Sequence, residues 1–245
     1  MTPKKGHLNQ LRAQAISHPA SRSPTSTIRL VRSHAHVSPV YIATPNLLTR
    51  LFDIAMASAL TTVFLPIILI TVATLLLSKG PVIFHQDRLG YGGRAFRVYK
   101  FRTMIPDAQK VLAEILAKNP ALKAEWERDY KLKKDPRVTW IGRLLRRTSL
   151  DELPQLWNIF KGDMSIVGPR PIEPFEIARY GRFARHYYAQ RPGLTGLWQV
   201  SGRSDTSYQR RVILDTYYSK KKSLLLDIKI IARTVRVVLF GSGAY

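Results

Sequence analysis

The sequence predicts an α/β protein built in two parts. A membrane-embedded re-entrant helical hairpin comes first, followed by a small, mostly helical domain with a short β-hairpin and interfacial amphipathic helices. Three observations carry this. Residues 54–78 run about 25 positions without a charge, long enough to cross the roughly 30 Å hydrocarbon core of a bilayer. Residues 81–104 alternate apolar and polar positions around a glycine-rich turn at 90–93, the pattern of a β-hairpin. Leu224, Ile228, Ile231, Val235 and Val238 recur at spacings of 4, 3, 4 and 3, while Lys229, Arg233 and Arg236 mark another face. That is a cationic amphipathic helix, suited to packing on a domain or lying in a membrane interface.

Composition bounds the partners. A chain of 245 residues holds one sizeable domain plus attachments, and 45% hydrophobic residues exclude a wholly disordered chain. The formal charge of +23 calls for a persistently anionic partner: nucleic acid, acidic lipid headgroups or phosphate-bearing substrates. The absence of cysteine excludes disulfides and thiolate metal sites.

In chain order, residues 1–44 are rich in Ser, Pro, His and Arg and hold no acidic residue, the composition of a disordered basic tail. Its Lys4, Lys5, Arg12, Arg22, Arg29 and Arg32 are each drawn to an anionic leaflet by about 1 kcal/mol near the surface. Residues 45–80 form the membrane part. Pro66 stands in mid-run, where it removes a backbone hydrogen bond and bends or breaks a helix. Arg50 on one side and Lys79, Arg88 and Arg94 on the other are awkward for a single span, because basic flanks prefer the cytoplasm. A helix that enters, breaks at Pro66 and returns satisfies both flanks, with the Thr61 or Thr62 hydroxyl reaching the carbonyls that Pro66 frees.

Residues 81–245 form the second part. In its hairpin, Lys100 and Arg102 lie two apart on one strand and point to one face. Two charged helices follow, Asp107 to Asn119 and Ala121 to Lys134, separated by Pro120. Residues Ile172 to Gln190 read as a helix whose Tyr180, Phe183, Tyr187 and Tyr188 suit a core or an interfacial belt. The stretch Arg191 to Arg203, RPGLTGLWQVSGR, has the glycines, proline and flanking arginines of a loop that wraps a nucleotide or diphosphate. Trp198 within it suits either base stacking or core filling. A further helix spans Tyr208 to Lys222.

The chemistry concentrates in Arg146 to Pro171, RRTSLDELPQLWNIFKGDMSIVGPRP. Ser149, with Glu152 three residues on and an apolar run behind it, reads as a capping box opening an amphipathic helix. Asp151 and Glu152 would then sit in its first turn, where unpaired N–H groups and the helix dipole favour carboxylates and phosphate oxygens. Such acidic residues are common in helices without catalytic duty. Here Pro154, the upstream arginines and the tight-turn loop GDMSIVGPRP add a compact polar constellation that a plain cap does not require.

The motifs KFRTM (Lys100 to Met104), SLDELPQLWNIFKGDMSIVGPRP (Ser149 to Pro171), RPGLTGLWQVSGR and the closing GAY resemble the bacterial sugar transferases, the monotopic phosphoglycosyl transferases. The likeness runs from about Pro45 to the C-terminus and is greatest to the short exopolysaccharide-initiating members. It implies a re-entrant membrane hairpin and a catalytic domain facing the cytoplasm at the bacterial inner membrane. One departure stands at Leu65, where the family usually has Ser. The implied reaction moves hexose 1-phosphate, galactose or glucose, from a UDP-sugar to undecaprenyl phosphate and releases UMP. Asp151 would be the nucleophile that forms an aspartyl phospho-sugar, as in aspartyl-phosphate enzymes. Glu152 would help hold Mg²⁺ across the diphosphate, a cation that needs only one or two carboxylates beside substrate phosphates. Lys100, Arg102, Arg146 and Arg170 would bind phosphate, and Arg191, Pro192, Gly193, Gly196 and Arg203 would form the nucleotide loop. An anionic leaflet rather than nucleic acid then accounts for the charge. The rival is a membrane-tethered basic protein that binds nucleic acid or anionic lipid without catalysis, which leaves the acidic pair unexplained.

Overall fold

One thirty-residue helix dominates the beginning of the computed structural model, which describes residues 46–129, 132, 134–202 and 206–240. This helix, α1 (Leu47–Leu76), is opened by Asn46, whose side chain accepts from the Leu48 N–H at 3.0 Å. By length and composition it is long and apolar enough to cross a membrane. The basic tail at 1–44 lies outside the described residues.

The expected break at Pro66 is not seen in the secondary structure, because α1 runs through Pro66 without interruption. A proline removes only its own N–H from the ladder, and the remaining turns keep theirs. The threonine hydroxyls also act one turn earlier than expected. Thr61 Oγ1 donates to Ala57 O at 2.8 Å and Thr62 Oγ1 to Ser58 O at 3.0 Å, each bonding its own i−4 carbonyl.

Both ends of α1 are fastened to the same domain. Near the start, Arg50 donates to Ile159 O at 2.5 Å and Phe160 O at 2.8 Å, and buried Asp53 accepts from Ser165 Oγ and Ile166 N, both at 2.8 Å. Near the end, Leu75 is buried with Phe101 and Leu145, and Arg102 donates to Lys79 O at 2.6 Å and to Ser78 Oγ. Between them Val63, Leu65, Leu69 and Ile70 are exposed.

The predicted hairpin forms. Strands β1 (Ile83–Leu89) and β2 (Ala95–Phe101) pair antiparallel from Ile83 opposite Phe101 to Leu89 opposite Ala95. The turn needs its glycines, since Gly92 and Gly93 adopt φ of 64° and 76°. Helices α2 (Ala108–Lys118) and α3 (Pro120–Asp129) follow as expected. Pro120 opens α3 rather than separating the two, and Asn119 Oδ1 accepts from the Ala121 and Leu122 N–H groups at 3.1 Å.

Next come α4 (Trp140–Thr148), a 3-10 turn over Leu150–Glu152, and α5 (Gln155–Lys161). A second sheet was not anticipated: β3 (Ser165–Val167) and β4 (Gly193–Thr195) pair in parallel. The single helix expected over 172–190 is instead two 3-10 turns, Pro174–Arg179 and Gly181–Phe183, and a short α6 (Ala184–Tyr188). Gly181, at φ 48°, interrupts the helical path. Tyr180, Tyr187 and Tyr188 are core residues, packed edge-to-face at centroid distances of 5.3 and 6.0 Å.

The chain closes with α7 (Tyr208–Lys221), capped by Ser207, and α8 (Leu224–Phe240). The main core joins Ala57, Leu156, Ile159, Ile166, Tyr218 and Ile230 from α1, α5, β3, α7 and α8, with Met164 just ahead of β3. Of the apolar stripe read from the sequence of α8, Ile231 packs on this core, whereas Leu224, Ile228, Val235 and Val238 are exposed.

Gly142 shows how tightly α4 seats. A Cβ there would lie 1.9 Å from Thr103 O, which accepts the Thr139 N–H at 3.0 Å just ahead of the helix. Gly142→Ala should therefore destabilise the protein by about 1–3 kcal/mol, as overpacking does. Thermal unfolding in detergent checks this; an unchanged midpoint would mean that α4 can move away freely.

Candidate active site

The acidic pair sits at a reversal of chain direction. Helix α4 ends at Ser149, which takes the left-handed conformation at φ 57°, and its N–H bonds Arg146 O at 3.1 Å. Ser149 is thus a C-terminal cap of α4, not the N-terminal cap of the next helix, and the expected capping box does not form. Asp151 and Glu152 occupy the 3-10 turn that follows, closed by Glu152 N–H to Ser149 O at 3.2 Å and Leu153 N–H to Leu150 O at 3.2 Å. Helix α5 begins only after Pro154, whose missing N–H costs nothing there.

Three cations converge on the pair from three elements. Lys100, one residue from the end of β2, places Nζ 2.6 Å from Glu152 Oε1 and 3.7 Å from Asp151 Oδ2. Arg170, in the loop after β3, has Nη2 3.6 Å from the same Glu152 oxygen. Arg146, on the last turn of α4, donates from Nε to Thr103 Oγ1 at 3.0 Å, and its charge acts on Asp151. Asp151 is 7% exposed. Burial pushes its carboxyl above the usual range and Glu152 adds to the rise, while Lys100, Arg146 and Arg170 pull it back. The result is a desolvated carboxyl group with three cations beside it.

Other expected site residues lie elsewhere. Arg102 is buried, and its guanidinium is committed to the C-terminal end of α1 through Lys79 O and Ser78 Oγ rather than to the acidic pair. The hydroxyl and carbonyl lone pairs at a helix end attract a cation. Arg191 stands among Arg50, Asp53 and Asp163. Pro192 and Gly193 do not belong to an open loop. Pro192 O accepts the Ser165 N–H at 2.9 Å, and the Gly193 N–H donates to Pro169 O at 2.8 Å, so β4 closes against β3. Gly193 and Gly196 permit this approach, since a Cβ on either would lie 2.1 Å from Gly168 backbone atoms. Arg203 lies outside the described residues.

Trp198 neither fills the core nor offers a bare ring. It is half-buried, with the Arg170 and Arg211 guanidiniums 6.0 and 4.8 Å from its ring centroid. The sequence reading also missed Asn158. Fully buried, it accepts the Tyr99 N–H on Oδ1 at 3.2 Å and donates from Nδ2 to Arg97 O at 2.6 Å, locking α5 to β2. A polar residue inside the apolar run 156–160 was the available signal.

Among the described residues no cluster of three His, Asp or Glu side chains is present. Glu152, partly exposed beside Asp151, offers hard oxygen of the kind Mg²⁺ takes when substrate phosphates supply most ligands.

The family described as Bacterial sugar transferase matches residues 44–241. The chain is 48% identical over 198 residues to the undecaprenyl-phosphate galactose phosphotransferase of Salmonella typhimurium, covering 81% of this chain but 42% of that relative. It therefore spans less than half the length of such relatives. Against the exopolysaccharide production protein ExoY of Sinorhizobium fredii, identity is 41% over 227 residues, covering 92% of this chain and 99% of the relative. The UDP-glucose:undecaprenyl-phosphate glucose-1-phosphate transferase of Caulobacter vibrioides is 37% identical over 238 residues, with 93% and 82% covered.

The electrostatics around Asp151 can be read directly. Because Lys100 is the strongest group lowering the Asp151 carboxyl, Lys100→Met should drive it further upward. A ¹³C titration of selectively labelled aspartate carboxyls would show this, and an unmoved or lowered midpoint would remove Lys100 from the account.

Proposed function

Because the chain belongs to the bacterial sugar transferase family, we propose that it transfers hexose 1-phosphate from a UDP-sugar to undecaprenyl phosphate and releases UMP. This would be the first membrane step of exopolysaccharide assembly. The carrying observation is Asp151: a buried carboxylate on a tight turn, flanked by Lys100, Arg146 and Arg170. The donor sugar is galactose or glucose, the two hexoses in the names of the relatives.

In the first step an Asp151 carboxylate oxygen attacks the sugar-bearing phosphorus. The Asp–O–P bond forms, the bond to the uridine-bearing phosphate oxygen breaks, and UMP leaves with that electron pair. In the second step an oxygen of undecaprenyl phosphate attacks the same phosphorus, forming the diphosphate and returning the Asp151 carboxylate. No net proton is required. Lys100 and Arg170 offset the charge gathered on the phosphoryl oxygens, and Arg146, held by Thr103, adds a third cation. Mg²⁺, held by Glu152 and the substrate phosphates, would supply charge neutralisation across the diphosphate.

Membrane attachment gives the acceptor access, and α1 is the attachment. At about 1.5 Å per residue its thirty residues extend roughly 45 Å. Both ends are nonetheless bonded to the one domain, at Arg50 and Asp53 and again at Leu75 to Lys79, with exposed apolar residues between. This supports a re-entrant course made without the expected break at Pro66, in which the exposed apolar middle of α1 enters the cytoplasmic leaflet of the inner membrane and both flanks stay cytoplasmic. The exposed apolar stripe of α8 supports an interfacial seat beside anionic headgroups.

Two measurements test this reading. With UDP-hexose labelled in the sugar and no acceptor, wild-type protein should carry label stoichiometrically and release UMP. Asp151→Asn should lose both, and Glu152→Gln should slow the metal-dependent rate while keeping the fold. Activity retained in Asp151→Asn would defeat the two-step route, and release of UDP would mean transfer of the sugar without its phosphate. For topology, the chain lacks cysteine, so single Thr49→Cys and Lys79→Cys variants are clean probes. Both should react with membrane-impermeant maleimide only after the cytoplasmic side is opened; a periplasmic Thr49→Cys would sink the re-entrant course.

A further inference from the structure

Arg211, on α7, is a buried cation for which the reaction above has no use. It is 8% exposed, with Nε 3.8 Å from Asp215 Oδ2 and Nη1 3.8 Å from Glu176 Oε2. Neither separation is a tight ion pair, and Nε has no hydrogen-bond partner among the described residues. Asp215 instead takes the Tyr180 hydroxyl at 2.6 Å. A buried charge with such loose partners is poor value for stability, since an apolar side chain of similar size usually does as well. Arg211 has two further contacts, the first its shortest polar one. Nη2 donates to the backbone oxygen of Arg170 at 3.3 Å, and the guanidinium lies 4.8 Å from the centroid of Trp198. Arg170 contacts the same indole at 6.0 Å and reaches Glu152 at 3.6 Å.

We propose that Arg211 is a positioning residue for the transfer reaction: through Trp198 and the Arg170 backbone it fixes the reach of the Arg170 guanidinium toward Glu152 and the donor diphosphate. This rests on the reaction proposed above. The geometry has a plain physical basis. A planar guanidinium can lie against an indole and still donate an in-plane hydrogen bond, which an ammonium cannot do. The arginine at 170 is long and 38% exposed in its side chain, so without a fixed backbone and a neighbouring ring it would sample many rotamers. Two guanidiniums beside one indole repel each other, and each is balanced by carboxylate on its outer side, Glu152 for Arg170 and Glu176 with Asp215 for Arg211. The acidic residues on α7 and on the 174–179 turn therefore stabilise a charge arrangement centred on the candidate active site. Small errors in the placement of a phosphate-binding group are costly, which gives such a support its value.

A double-mutant cycle on the full-length protein in lipid nanodiscs tests this, read as UMP release from UDP-galactose or UDP-glucose with undecaprenyl phosphate. If Arg211 acts through Arg170, Arg211→Met should lower kcat/KM about tenfold in the wild-type background and by no more than about twofold once Arg170→Ala is present. Arg211→Lys should fail to restore the rate, because the plane and not the charge is needed. Additive losses, or full rescue by lysine, would overturn the proposal.

A second readout is independent of turnover. With Trp126→Phe, Trp140→Phe and Trp157→Phe, Trp198 is the sole tryptophan of the chain, and acrylamide quenching reports its cover. Adding Arg211→Met or Arg170→Ala should each increase quenching, while a purely structural Arg211 would leave it unchanged and so defeat the idea. If the wild type releases no UMP from either donor, the proposed reaction falls, and the quenching alone then decides whether Arg211 holds the Arg170–Trp198 contact.

Discussion

Burying the Asp151 carboxylate is the constraint on which the rest of the site depends. A carboxylate removed from water is strongly disfavoured unless cations or hydrogen-bond donors stand within reach. The fold meets this with one cation from each of three separate elements: Lys100 from the hairpin, Arg146 from the end of α4, and Arg170 from the loop behind β3. Each carrier is pinned by a polar contact away from the acidic pair. Asn158 ties β2 to α5, Thr103 holds Arg146, and the closure of β4 on β3 sets the loop that carries Arg170.

The short run from Lys100 to Thr103 is where these demands meet. Lys100 serves the acidic pair, Phe101 packs with Leu75 and Leu145, Arg102 binds the end of α1, and Thr103 meets α4 through both hydroxyl and carbonyl. Four consecutive residues thereby connect the apolar helix, the carboxylates and the helix that leads into them. The carboxylates are thereby held rigidly to the end of the apolar helix. The same rigidity explains why Gly142 must lack a side chain.

Features that depend on neighbours close in the chain are readable from the residues alone. The charge-free run, the period-2 hairpin with its glycine turn, the pair of charged helices, the amphipathic last helix and the acidic pair with Lys100 and Arg170 were all legible. Their signals are spacing and residue type within a few turns. Other features depend on long-range packing. A serine followed three residues later by glutamate can open a helix or close the one before it, and the αL turn at Ser149 follows from where α4 must stop. Arg102 reads from the sequence as a partner of Lys100 on one strand face, whereas the fold sets its guanidinium against the carbonyls of Ser78 and Lys79, more than 20 residues away. The glycines at 193 and 196 look like a nucleotide loop until Gly168 is brought against them. Long-range packing chooses the partners of a polar group, and no local pattern encodes that choice, because the groups that compete for it are distant in the chain and adjacent only after folding.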